Sequence, residues 1–401
     1  MPLVGMHVVL PVTLIGVLIL CFAAVLSHRS TFYRNLVDSE IAGSRFHSVD
    51  GLRGYLALGV AFHHLTLNYE YYRMGEWGRA PSNLSAFLGK GSVALFFMIT
   101  GFLFWNRAMD TEGGFRIYAF YRSRLRRILP MYLVAVLLLV LTALAMTGLT
   151  LQVSLLHLMR SIFAWVLFTF PGEMEINGYE HTRLINTVFW SLVWEWKFYL
   201  ILPVLAVFSG PRYRWYILGV VALLLLIFDR ASFAWFFCGG ALAAMLTRLN
   251  DVKSVARTRG ASLAAFGLIA VSVVYVPYAR GLSALALLVI PFAIISGGNT
   301  LFGLLIFRPA RLLGVLSYSV YLLHNWVLFV ISNIVNRYVS LEKISEPAYW
   351  GLGAVIVVAT VTLASVTYRF IENPYLTTRA HPADVVQRKT THLSYEFRQP
   401  P

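Results

Sequence analysis

One apolar stretch, residues 48 to 64, carries side chains that could bind an anion and move a proton: Arg53, His63 and His64. Ionisable groups inside an apolar run are costly and are usually functional. Arg53 and His64 are eleven residues apart, so on one helix they share a face with a rise of roughly 16 Å between them. We expect one end to hold an anion and the other to handle a proton. An interfacial Arg53 and histidines packed between helices would explain the same residues.

A second group precedes another apolar run, where four arginines stand between residues 120 and 132. Arg124 and Arg127 lie one helical turn apart and could clamp phosphate groups by paired, charge-assisted hydrogen bonds. The alternative is a cytoplasmic anchor that touches lipid headgroups, and composition alone favours that alternative.

Two further apolar runs contain polar groups. Glu195 lies among tryptophans that include Trp190, where a carboxylate could orient a histidine or accept hydrogen bonds from sugar hydroxyls. A salt bridge to Lys197 or to an arginine would also explain it. Three residues of the other run recur at helical spacing and could line a polar cavity or form a hydrogen-bonded helix contact, namely Ser317, Tyr321 and His324. Arg369 and Glu372 lie one turn apart near the end of the last run and could form an ion pair.

The elements that must hold these residues are membrane helices. The chain has 401 residues, 58% of them hydrophobic and only 13% charged, with a mean hydropathy of +0.70. This composition excludes an ordinary soluble protein. The 33 basic against 18 acidic residues reflect basic loops retained on the cytoplasmic side, so we expect no nucleic-acid partner. Cys21 and Cys238 lie in apolar runs and indicate neither a disulfide nor a metal site.

Loop charge orders the spans. Arginine-rich loops alternate with glutamate-containing loops only if residues 151 to 170, which contain Arg160, do not span but lie at the interface or re-enter. The predicted fold is therefore an all-α polytopic bundle of about eleven transmembrane helices, with the N-terminus outside and the C-terminus cytoplasmic. Its spans are residues 3–26, 52–67, 91–107, 127–148, 189–208, 215–228, 231–247, 261–277, 281–298, 311–333 and 349–370.

With these motifs assembled, the chain resembles the acyltransferase 3 family of membrane O-acyltransferases, which use acyl-CoA to modify surface polysaccharides, lipopolysaccharide, peptidoglycan or secreted small molecules. The resemblance covers about residues 46 to 376. It rests on motifs that occur in order: Arg53 with His64, Phe96 to Phe102, Arg124 with Arg127 before Pro130, Trp190 to Glu195, Ser317 to His324, and Tyr368 to Pro374.

The resemblance implies a plasma-membrane or inner-membrane O-acyltransferase in which residues 1–45 form an N-terminal helix and a cytoplasmic linker. Residues 46–376 form the acyltransferase domain, and residues 377–401 a cytoplasmic, disordered tail. It implies an acyl-CoA donor, with acetyl-CoA as the default, and no tightly bound cofactor. It also implies a glycan or a lipid-linked saccharide as the acceptor, and membrane lipids around the protein.

The roles expected from this reading follow the motifs. His64 is the candidate general base, since its unperturbed pKa lies near neutrality. Arg53, Arg124 and Arg127 are expected to hold the donor, while Glu195 and His324 shape the acceptor side with His63, Trp190, Ser317 and Tyr321 in support. A transporter or flippase of lipid-linked glycans is the rival function, because polar groups in a helical bundle would serve it as well. A non-catalytic envelope subunit is a third reading, which leaves the spacing of Arg53 and His64 without a purpose.

Overall fold

The computed structural model describes residues 6–43, 46–78, 80–111 and 114–377. Within these ranges the chain is helical, and its only β-structure is an isolated bridge between Ile176 and Tyr179. The α-helices in chain order are α1 Met6–Arg29, α2 Thr31–Gly43, α3 His47–Met74, α4 Asn83–Asp110, α5 Ile117–Met146, α6 Leu155–Val166, α7 Thr182–Ile185, α8 Phe189–Ala206, α9 Arg214–Phe228, α10 Ala234–Leu246, α11 Asn250–Ala256, α12 Arg259–Tyr275, α13 Leu282–Ser296, α14 Arg308–Asn336, α15 Glu346–Thr367 and α16 Asn373–Thr377. A short 3-10 turn, Val276–Tyr278, follows α12, and a π-helical turn, Tyr368–Glu372, joins α15 to α16.

Each of the eleven apolar runs coincides with one of these helices. Seven helical segments of the described chain are long and apolar enough to cross a membrane, and four shorter apolar helices accompany them. Helix α3 is not among the seven, although it has 28 residues, because it carries the charged and polar side chains of the site. The all-helical polytopic bundle is confirmed at this level.

The segment at 151 to 170 forms α6, which has only 12 residues. At 1.5 Å per residue it is shorter than a bilayer core of about 30 Å, and this is also true of the apolar helices α9, α10 and α13. One face is buried through Leu158 and Trp165, while Leu155, Met159 and Phe163 are exposed. This geometry agrees with an interfacial helix.

The centre of the bundle is the crossing of α3 with α14 and α4. Small residues let the backbones of α3 and α14 approach closely: a Cβ added at Gly54 would lie 2.8 Å from the backbone nitrogen of Gly314, and one at Gly314 would lie 2.0 Å from the carbonyl oxygen of Asp50. Two helix ends near this crossing have ordinary caps. Ser82 accepts a hydrogen bond from the Ser85 backbone N–H at 3.2 Å, and α3 ends at Gly75 in the left-handed conformation.

The polar segment between α1 and α3, which the sequence analysis treats as a linker, contains a helix, α2. Tyr33 and Val37 of α2 are buried, and the Tyr33 hydroxyl donates to the carbonyl oxygen of Ser365 at 2.7 Å. Apolar residues four apart on one helix face were the available signal. The predicted tail, residues 377–401, lies outside the described residues beyond Thr377.

Candidate active site

Two histidines from distant parts of the sequence meet in the core of the bundle. His64 Nδ1 of α3 lies 2.7 Å from His324 Nε2 of α14, and the two rings stack with centroids 5.0 Å apart. His324 Nδ1 lies 3.1 Å from the carbonyl oxygen of Val320, and His64 Nε2 lies 3.1 Å from the hydroxyl of Thr187. Both histidine side chains are buried.

These partners fix the tautomers of the neutral pair. A carbonyl oxygen only accepts, so His324 carries its proton on Nδ1 and its Nε2 must accept. His64 therefore donates from Nδ1 to His324, and its lone pair is on Nε2, where the Thr187 hydroxyl donates to it. The arrangement leaves His64 Nε2 as the basic nitrogen and makes His324 the group that orients it.

The segment before α8 brings Thr187 to the histidine pair. Asn186 donates from Nδ2 to the carbonyl oxygen of Leu322 at 2.8 Å, and Asn325 donates from Nδ2 to that of Leu184 at 2.8 Å. These two amide bonds tie residues 184 to 187 to α14 on either side of His324. Thr187 therefore takes its position from α14, and the motifs of the sequence give no sign of this.

The arginines line a separate cavity toward the start of α3. This arginine cavity has a volume of about 370 Å³, and Arg53, Arg124, Arg127 and Glu195 supply its charges. Its remaining wall is mainly apolar and aromatic. The structure thus brings Arg53, Arg124 and Arg127 together, and Ser317 also lines this cavity.

Arg127 is engaged by a carboxylate. Its Nη1 lies 3.3 Å from Oε2 of Glu372, which is 1% exposed, and the Ser319 hydroxyl donates to Oε1 of the same carboxylate. Glu372 is thus paired with Arg127 of α5, while the guanidinium of Arg369, its neighbour by helical spacing, lies over the Phe32 ring at 5.0 Å. Arg124 is placed differently, with its guanidinium 4.7 Å from the centroid of Phe104.

Glu195 lies in the arginine cavity, apart from the histidine pair. It accepts a hydrogen bond from the Tyr199 hydroxyl one turn along α8 and lies within electrostatic reach of Arg124, Arg53 and Arg127. Lys197 points elsewhere, with its ammonium 4.6 Å from the Trp194 ring. The sequence predicts that Glu195 and His324 lie together, but in the structure Glu195 faces the arginines of α5 instead.

A second cavity contains the histidines. This histidine cavity has a volume of about 480 Å³ and is lined by His63, His64, Lys90 and Trp190 among others. His63 binds the carbonyl oxygen of Ser85 through Nδ1 at 2.8 Å, so its ring is engaged apart from the His64–His324 pair.

The side chain of Tyr321 lies between the arginine cavity and the histidine cavity. It lines both of them, together with Val93, and its hydroxyl lies 2.7 Å from that of Ser191. Since the arginine cavity begins at Arg53 and the histidine cavity contains His64, the two spaces follow each other along α3. A ligand with an anionic head and an extended arm could reach from one to the other past Tyr321.

Comparisons with known proteins agree with the motifs. The acyltransferase 3 family, described as an acyltransferase domain, matches residues 46–369. The "Putative peptidoglycan O-acetyltransferase YrhL" of Bacillus subtilis (strain 168) is 27% identical over 380 residues, which cover 82% of this chain and 54% of that protein. The chain thus spans about half the length of the curated relative that it matches. No solved structure matches the chain.

Proposed function

This chain belongs to the acyltransferase 3 family of membrane acyltransferases, and from that premise we propose that it moves an acetyl group from cytoplasmic acetyl-CoA to a hydroxyl of a cell-surface glycan. The single observation that carries the proposal is the unprotonated Nε2 of His64, oriented by His324. The arginine cavity, which follows along α3 and shares Tyr321 with the histidine cavity, supplies the donor side.

The proposed chemistry needs one proton acceptor. The glycan hydroxyl takes the place of the Thr187 hydroxyl at His64 Nε2, and its oxygen attacks the thioester carbonyl as His64 takes the proton. The carbon–sulfur bond then breaks, the new ester leaves, and the CoA thiolate regains a proton from the imidazolium. His324 stabilises the imidazolium by accepting its Nδ1–H, as the orienting member of a catalytic triad does.

A cell-wall glycan of the peptidoglycan type is the proposed acceptor. The name of the Bacillus subtilis relative supports this choice, and the aromatic groups around the histidine cavity, including Trp190, suit the faces of a sugar ring. We propose the plasma membrane as the location, with eleven spans and the N-terminus outside. In that topology Arg53 lies on the cytoplasmic side and His64 nearer the outer face.

The test is acetyl transfer by the purified chain from radiolabelled acetyl-CoA to peptidoglycan fragments, without any ion gradient. The wild type is expected to transfer label, and His64→Ala is expected to lose essentially all activity, because no other described group lies at the same position. His157→Ala is the matched control, since His157 is an exposed histidine on α6.

Two outcomes would overturn the proposal. Near-normal transfer by a well-folded His64→Ala protein would remove its role as the base. Failure of the folded wild type to transfer from any acyl-CoA, together with gradient-dependent movement of a lipid-linked glycan, would favour the transporter reading.

A further inference from the structure

A third cavity, which no motif indicates, lies at the N-terminal end of α3 and is strongly basic. This basic cavity has a volume of about 530 Å³, and its titratable lining residues are all cationic or potentially so: His47, Arg248, Lys253, Arg257 and Arg311. Two of the five come from the α10–α11 region, one follows α11, and one each belongs to α3 and α14. Cationic or potentially cationic groups from three separate parts of the chain, residue 47, residues 248–257 and residue 311, therefore converge on one space.

Arg311 is the decisive residue of the basic cavity. It is 6% exposed, and it donates from Nε to the carbonyl oxygen of Ile306 at 2.9 Å. Its Nη1 is buried and has no hydrogen-bond partner among the described residues. A buried guanidinium nitrogen without an acceptor is costly, and an anion in the cavity would remove that cost.

The start of α3 contributes partial positive charge to the cavity, opposed by the Asp50 carboxylate in the same turn. His47, Ser48 and Val49 line the cavity, and no side chain caps this end of the 28-residue helix. Backbone N–H groups at a helix start carry partial positive charge and point toward an anion placed there.

Arg257 is held toward the same space by a glycine turn after α13. Gly298 adopts a φ of +103°, and a Cβ there would lie 3.0 Å from Nε of Arg257. Arg248 is already paired with Asp110 at 2.5 Å, which leaves Lys253 and Arg257 as the exposed cations of the rim.

The basic cavity and the arginine cavity use the same faces of three helices. On α3, Val49 of the basic cavity precedes Arg53 of the arginine cavity by four residues; on α14, Arg311 precedes Tyr318 by seven; on α4, Asn106 follows Leu103 by three. Residues spaced in this way lie on one side of a helix. From Ser48 to His64 the helix rises roughly 24 Å, a span comparable to coenzyme A extended from its ribose phosphate to its thioester.

We propose that the basic cavity binds the phosphate groups of the acyl-CoA donor, with the 3′-phosphate of its ribose at Arg311, Arg257 and Lys253. This inference rests on the proposed function and adds the donor's anchoring site to it. The pantetheine arm then runs through the arginine cavity, where Arg53 and Arg124 line its path. A phosphate monoester is the group that a cluster of guanidinium and ammonium donors recognises best.

The test compares coenzyme A, dephospho-coenzyme A and adenosine 3′,5′-bisphosphate in binding to the detergent-purified full chain. The wild type is expected to bind coenzyme A about tenfold or more tightly than dephospho-coenzyme A, because a charge-assisted contact is lost without the 3′-phosphate. The double variant Lys253→Gln/Arg257→Gln is expected to lose this preference and to raise KM for acetyl-CoA about tenfold with little change in kcat. It leaves buried Arg311 in place, so its folding is not at risk.

The matched control is Arg212→Gln/Arg259→Gln, which removes two exposed arginines that do not line the cavity. The inference would be overturned if the wild type and the cavity variant bound the three ligands equally well. It would also be overturned, with the proposed function intact, if the cavity variant transferred acetyl groups with an unchanged KM for acetyl-CoA. A third result would also overturn the inference. If the wild type needs anionic phospholipid for activity, and the cavity variant loses this need while its affinity for coenzyme A is unchanged, the cavity binds lipid headgroups. Specific binding of the bisphosphate without any acyl transfer would instead support the cavity and count against the proposed function.

Discussion

At the scale of single residues, the His64–His324 pair sets the basic nitrogen through hydrogen bonds alone. His324 lies in the core and does not line the arginine cavity. It does not line the histidine cavity either, so under the proposed mechanism it is a positioning residue that acts through the ring of His64.

Replacing His324 tests that role. His324→Ala is expected to lower kcat by about 10²- to 10⁴-fold while KM for acetyl-CoA changes little, because the donor side is untouched. His324→Gln is expected to restore part of the rate, since its amide oxygen can accept the Nδ1–H of His64. Equal loss in both variants, with a raised KM, would indicate a merely structural role.

The buried pair of Arg127 and Glu372 is a second residue-scale feature. Glu372→Gln removes the buried counter-charge that lies 3.3 Å from half-buried Arg127, which is expected to cost up to about 3 kcal/mol, the lower end of the range for breaking a fully buried pair. The variant should show a clearly lower Tm in detergent. Glu346→Gln is the control, because Glu346 is partly exposed, its ion pair is with exposed His7 at 3.5 Å, and a glutamine can still accept the hydrogen bond from Trp350 Nε1; a similar Tm loss in both would contradict the prediction.

Residue motifs were informative only where neighbours in sequence share a helix. Arg124 and Arg127 are neighbours in this sense, and both line one cavity. Thr187 and Glu372 acquire their contacts from segments 123 and 245 positions away, so their partners depend on tertiary packing. Glu195 shows the same limit, because the sequence gives its depth but not the direction in which α8 turns it.

At the scale of helices, the crossing of α3 and α14 fixes the distance between the two histidines. Gly54 and Gly314 permit this crossing, and each faces backbone of the opposite helix, while Gly51 faces the backbone of Leu305 just before α14. The sequence predicted both helices from their apolar runs, but period and length carry no information about which helix faces which.

Enlarging one of these glycines tests the crossing. Gly314→Ala is expected to destabilise the fold by about 1–3 kcal/mol and to reduce activity, because its Cβ would lie 2.0 Å from the Asp50 carbonyl oxygen. Gly351→Ala in α15 is the matched control, since nothing lies within 4 Å of the added Cβ. Thermal unfolding and transfer assays distinguish them, and an equal response of the two would refute close packing at Gly314.

At the scale of the whole molecule, the basic cavity and a loop that contains glutamates lie toward opposite ends of α3. The five basic groups of the basic cavity lie at the end that begins α3, whereas Glu173, Glu175 and Glu180 lie in the loop before α8. Loop charge predicted that arginine-rich and glutamate-containing loops lie on opposite sides, because arginine is costly to move across a membrane and is therefore retained on one side.

Cysteine labelling tests the orientation. In a Cys21→Ser/Cys238→Ser background, Glu342→Cys is expected to react with a membrane-impermeant maleimide on intact cells. Arg212→Cys is expected to react only after permeabilisation, since its loop is arginine-rich. The opposite pattern would invert the topology and place the basic cavity outside.

The wall formed by Tyr321 has a consequence for selectivity among donors. The arginine and histidine cavities meet at this ring, so in the proposed reaction the acyl group of the thioester passes beside it. A large ring favours a two-carbon group, so Tyr321→Ala is expected to shift transfer from acetyl toward butyryl thioesters in a competition assay. Tyr321→Phe keeps the ring and should keep the preference for the short acyl chain. The size of this one side chain would then determine which acyl chain length is transferred.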